Sequence, residues 1–176
     1  MQYLSIIFLS VAMCVVYGIV HDQATARICV EYFTVAHPPV FRTENPTLLA
    51  FGWGTIATWW VGVMLGIPLA FSARVGSRPK RSAVSLIRPM LVLFACVGVL
   101  AFASGLAGYF AASRGLVTVL PPYEFSIPPE KHVAFLVDLH AHNASYLGGF
   151  IGGLFLIAWV WWTRIRMEIL AKRSAS

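Results

Sequence analysis

The sequence predicts an all-α polytopic membrane protein, a bundle of four transmembrane helices joined by long, partly helical connections on its outer side. Three observations predict it. Hydrophobic residues fill 59% of the 176 positions and charged residues only 11%, against about 25% charged in an ordinary soluble chain. Four apolar stretches are each long enough to cross about 30 Å of hydrocarbon. The charges that flank them segregate by sign.

The first span is expected over residues 3–20. The second covers 46–73, opened by Asn45 as N-cap with Pro46 in the first turn and bent at Pro68 near its inner end. The third covers 89–112 and the fourth 144–162, with no Asp, Glu, Lys, Arg or His inside any of the four. Residues 1–176 then form one membrane domain, with outer connections 21–45 and 113–143, an inner link 74–88 and an inner tail 163–176. Ala24-Thr25-Ala26, after the first apolar run, has the small residues of a signal-peptide cleavage site. Met1 to Leu4 carry no Lys or Arg, however, and that argues for a retained helix.

Basic residues set the direction. The inner link holds Arg74, Arg78, Lys80, Arg81 and Arg88 without an acid, and the tail holds Arg164, Arg166, Lys172 and Arg173 against Glu168 alone. The other connections carry Asp22, Glu31, Glu44, Glu124, Glu130 and Asp138. Both termini are therefore expected in the cytoplasm, in a membrane of the bacterial inner (cytoplasmic) type. Trp159, Trp161 and Trp162 fall where the fourth span meets the inner headgroups. Trp59 and Trp60 sit at mid-depth instead, where packing between helices is the ordinary use and lining a pocket the other.

This pattern excludes several function classes. The net charge of +6 lies in the topological flanks and lacks the interleaved aromatics of a nucleic-acid surface, so no nucleic-acid partner is expected. No charge at depth and no internal repeat argue against a carrier. No GxSxG elbow is present for a hydrolase. The three cysteines form neither a CxxC nor a disulfide framework.

Two features carry function. Small residues line the third span (Gly98, Ala101, Gly105, Gly108, Ala112) and the fourth (Gly148 with Gly152, Gly149 with Gly153), as close helix pairing requires. The stripes pair spans three and four. They also offer a surface to other membrane subunits or to a second copy, through Gly98, Gly105, Gly108, Gly148 and Gly152. The second feature is the outer polar set. All five histidines lie outside the spans, and His21, His37, His140 and His142 keep company with Asp22, Glu31 and Asp138. Imidazole with carboxylate suits a transition metal, and His21, Glu31, His37, Asp138, His140 and His142 are the candidate ligands, with Asp22 as orienter of a ring. On a helix Asp138 and His142 share a face while His140 points away; on a strand His140 and His142 share one. On a helix, too, Arg27 and Glu31 would pair. No HExxH or other compact metal motif is present.

Two functions follow. One is an accessory, assembly or structural subunit of a membrane complex or homo-oligomer, which the missing catalytic motif and the stripes slightly favour. The other is a metal- or haem-dependent membrane protein, such as a redox enzyme, with its site on the outer face.

Overall fold

A computed structural model describes residues 1–174, which fold entirely as helices and connections. In chain order these are α1 (Gln2–Ile28), α2 (Val30–Thr34), α3 (Pro46–Ile56), α4 (Trp59–Arg74), α5 (Val84–Ser113), α6 (Tyr123–Ser126), a 3₁₀ turn (Pro129–Lys131) and α7 (His132–Arg173). Four units, α1, α3 with α4, α5 and α7, are long and apolar enough to cross a membrane.

Local chemistry explains several boundaries. At the start of α3 the Asn45 side chain accepts hydrogen bonds from the Thr47 and Leu48 amides at 3.0 and 3.2 Å, and Pro46 occupies the first turn, where its missing N–H costs nothing. The second span is not continuous. It breaks at Ala57 and Thr58, where the Thr58 hydroxyl turns back onto the Gly54 carbonyl, ten residues before Pro68 in the interior of α4.

Two helices exceed their apolar stretches. α1 continues through the polar run His21–Arg27 and stops at Cys29, whose backbone is extended. α7 begins at His132, so Asp138, His140 and His142 all stand on the helix that becomes the fourth span. The break at Cys29 also separates Arg27 from Glu31. Arg27 donates to the Gln23 side chain at 2.7 Å and the Thr47 hydroxyl at 2.8 Å, while Glu31 lies 3.8 Å from Lys131.

Helix pairing follows the small residues. α5 packs most extensively on α7, with Gly105 against Val137 and Ala141, Gly108 against His140, and Gly148 and Gly152 against Leu100 and Leu93 of α5. Gly149 behaves differently, because no atom lies within 4 Å of where its Cβ would stand. A one-residue step along a helix turns the side-chain direction by about 100°, which takes Gly149 off the α5 face. The other close pairing joins α1 to α3 and α4: a Cβ on Gly54 would stand 2.6 Å from the Ile19 nitrogen, and one on Gly62 2.5 Å from the Val11 Cα.

Two buried apolar clusters hold the ends. One gathers Cys29, Tyr32, Phe33, Leu49, Trp53, Ile127, Phe135 and Leu136 at the end where α7 begins. The other gathers Ile6, Leu69, Ala70, Ala73, Leu86, Met90, Leu156 and Val160 at the opposite end. Beside the second, the fully buried Arg164 guanidinium donates to the carbonyls of Ser72 (2.7 Å), Val75 (2.7 Å), Pro79 (2.8 Å) and Arg78 (3.2 Å). Those acceptors include the last carbonyls of α4, which have no partner within their own helix. Sequence alone counts Arg164 as one more flanking charge. The fold makes it the cap of a neighbouring helix.

Candidate metal centre

His21 and Asp22 lie on the last two turns of α1, and His142 lies on α7, nearly three turns after its start and one turn after Asp138. Packing brings one ligand atom from each of His21, Asp22 and His142 within 4.8 Å of one another. Asp22 and His142 are 5% and 6% exposed, Asp138 is 0% exposed, and His21 is half-buried.

The hydrogen bonds of His142 define its proton. Its Nδ1 lies 2.8 Å from the Asp138 backbone carbonyl, one helical turn back. A carbonyl oxygen can only accept, so Nδ1 carries the hydrogen and donates. In the neutral ring Nε2 then presents a lone pair, and this atom faces an Asp22 carboxylate oxygen at 3.3 Å. Two acceptors so placed require a hydrogen or a cation between them: a proton on Nε2 or on the Asp22 carboxyl, or a metal ion. The Nε2 of His21 is also buried without a hydrogen-bond partner among the described residues, and its ring meets that of His142 edge-on with centroids 4.6 Å apart. One proton satisfies His142 and Asp22 and leaves His21 unmatched. A cation serves all three.

Aromatic rings fix these side chains. Tyr32 of α2 stacks on His142 at 4.3 Å, and Tyr17 stacks on His21 at 5.9 Å while its hydroxyl meets that of Ser145 at 2.8 Å. The break at Cys29, whose backbone is extended, separates α1 from α2, and α2 brings Tyr32 and Phe33 against the site. Burial pushes the Cys29 thiol up to about 12, assisted by Glu31, whose carboxylate accepts its S–H at 3.3 Å, so it stands as a protonated packing group.

The remaining candidates are placed as follows. His37 lines the same cavity and lies against Trp53 (centroids 4.6 Å), but stands outside the 4.8 Å group. Its Nδ1 donates to the Tyr32 carbonyl at 2.8 Å, and burial lowers its pKa against that bond. Asp138 shares the face of His142, as helical spacing requires, yet neither of its oxygens has a well-formed hydrogen bond among the described residues. The neighbouring Cys29 amide already donates to Thr25 at 3.0 Å. Glu31 engages Lys131 and Cys29 instead of the cluster. His140 turns toward Gly108 of α5 and donates from Nδ1 to the Leu136 carbonyl at 2.8 Å. Asp22, read from sequence as an orienter, offers its carboxylate directly to the cluster, and the carbonyl of Asp138 orients the ring.

Below the cluster lies a cavity of about 380 Å³ between α1, α4, α5 and α7. Its polar groups (His21, Asp22, His37, His142, Ser145, Tyr146) collect at one end, and Val61, Leu65, Leu93 and Ile157 line the rest. Trp60 is among its walls while Trp59 is not, and both residues are about half exposed. Among known proteins, no family profile, curated sequence or solved structure matches this chain.

Proposed function

We propose that the chain is an integral membrane protein that holds one transition-metal ion through His21, Asp22 and His142, near the outer end of a four-helix bundle. Membrane insertion is supported by the outward faces of the long helices, where Leu4, Phe8 and Phe102 are 72%, 74% and 73% exposed. Apolar surface of that extent needs lipid or a partner to cover it. The basic flanks support cytoplasmic termini, and the stacking of Arg78 on Trp161 (4.8 Å) and Arg166 on Trp162 (4.7 Å) suits an inner headgroup layer.

The observation that carries the metal reading is the facing pair of acceptors, His142 Nε2 and Asp22 Oδ1, with the unpartnered His21 Nε2 beside them. Two imidazoles and one carboxylate form the donor set that zinc and iron(II) take in reactive sites, leaving a position open for water or substrate. That position would face the cavity. The side chains must draw in by about 1 Å to reach the metal–nitrogen distances of about 2.0–2.1 Å. Rings with centroids 4.6 Å apart leave no room for a porphyrin between them, so His21 and His142 do not form the two axial ligands of a haem. Of the stripe residues that support a subunit role, Gly105, Gly108, Gly148 and Gly152 are already in use between α5 and α7, and Gly98 meets Tyr17 of α1.

Metal analysis of the purified protein tests the reading. About one ion per chain is expected, falling at least tenfold in His142→Ala and Asp22→Asn while helix content is unchanged. Protein free of metal after incubation with zinc and with iron(II), or variants that retain it, would remove the proposal.

A further inference from the structure

The cavity has a shape that the metal reading alone does not require. On α7 its walls run from His142 to Ile157, and on the second span from Trp53 to Pro68. Fifteen residues of helix cover about 22 Å. The cavity, about 380 Å³ in volume, is therefore drawn out along the helices over about 22 Å, long and narrow as an extended hydrocarbon chain is.

The tube also has a side door. Met64 on α4 and Phe150 on α7 line it, yet are 62% and 65% exposed, so the cavity reaches the outer surface of the bundle between these two helices. α4 packs on α7 much less extensively than on α1. Gly149 stands on the wall with open space before it, which keeps the bore clear at that level.

We infer that this cavity binds a single-chain lipid, with its oxygen-bearing head at the His21–Asp22–His142 cluster and its tail directed along the bundle between α4 and α7. Apolar walls below and polar groups at one end match that class of molecule. The chain enters sideways through the α4–α7 gap and needs no passage through water. The placement of the head deepens the metal reading, since an oxygen head fills the open coordination position; the seat of the tail rests on cavity shape alone.

Spin-labelled stearic acid, with the label near the chain end, tests this in phosphatidylcholine nanodiscs. The wild-type protein should immobilise about one probe per chain above the lipid background, with the label signal reporting tight packing. Gly149→Leu fills the bore without meeting backbone, and Met64→Trp narrows the gap. Each should reduce the immobilised fraction at least fivefold with metal content unchanged. No immobilised probe in the wild type, or unaltered immobilisation in both variants, overturns the inference. Protein that holds metal but no probe defeats this inference alone. Protein that holds the probe but no metal defeats the metal reading and leaves the lipid seat standing.

Discussion

His142 is held from two sides: its Nδ1 donates to the Asp138 carbonyl, and the Tyr32 ring stacks on its face. What remains free is Nε2, aimed at Asp22. A ring fixed in this way has lost its rotamer freedom before any ligand arrives, which lowers the cost of binding one. Asp138 serves the site by its backbone, and its own buried carboxyl has no well-formed hydrogen bond. Such a group is expensive to bury as an anion. Replacing it by Asn should therefore preserve or raise thermal stability, whereas Asp22→Asn should weaken metal binding; a melting series with and without zinc separates the two effects.

His37 supplies a pH prediction. Burial lowers its folded pKa, reinforced by His142 and opposed by the Tyr32 bond and by Asp22. The unfolded imidazole takes its proton near pH 6.5. Between that value and the lower folded pKa the unfolded state binds more protons, so stability falls as pH drops below about 6.5 and is unaffected above it. His37→Gln should flatten the melting temperature of zinc-free protein across pH 5 to 6.5. An unchanged slope would show that His37 makes no contribution.

At the scale of elements, the long helices were legible in hydropathy because crossing or filling an apolar layer demands a run of apolar residues. Their ends were not. α1 and α7 carry polar residues past their apolar stretches, and those turns are covered by α2 together with Leu49 and Trp53 of α3 and Val119 and Ile127. His21, Asp22 and His142 were visible as candidates by residue type. Their convergence was not, since it depends on how α1 lies beside α7 and on the break at Cys29. Glu31 and His140 had the same credentials and were drawn away, one by Lys131 and the other by the α5 contact at Gly108. The glycines divide similarly. Gly62→Val forces a side chain onto the Val11 backbone and should cost about 1–3 kcal/mol, seen as a lower melting temperature in detergent. Gly149→Ala meets open space and should melt like the wild type. Equal melting of both variants would remove the close-approach argument for α1 and α4.

For the whole molecule, the two ends do different work. At the arginine end Arg164 ties α7 to the end of α4 through four carbonyls. Arg164→Met should cost at least about 1–3 kcal/mol, the penalty of one orphaned buried acceptor, and Arg164→Lys should not restore it, because an ammonium cannot span the same fork. Both are read from thermal melts; full rescue by Lys would reduce the residue to a simple charge. The basic flanks at that end further predict that a reporter active only in the cytoplasm works at the C-terminus and fails near Glu124. The reverse pattern would invert the proposed orientation. At the histidine end the cluster and its cavity form one continuous unit, with the candidate ligands on α1 and α7. X-ray absorption at the metal edge of zinc- or iron-loaded protein tests that unit most directly. The account predicts two imidazole nitrogens at about 2.0–2.1 Å for zinc together with carboxylate or water oxygens, and one imidazole fewer in His21→Ala. A shell of water oxygens alone, or a spectrum untouched by that substitution, would contradict it.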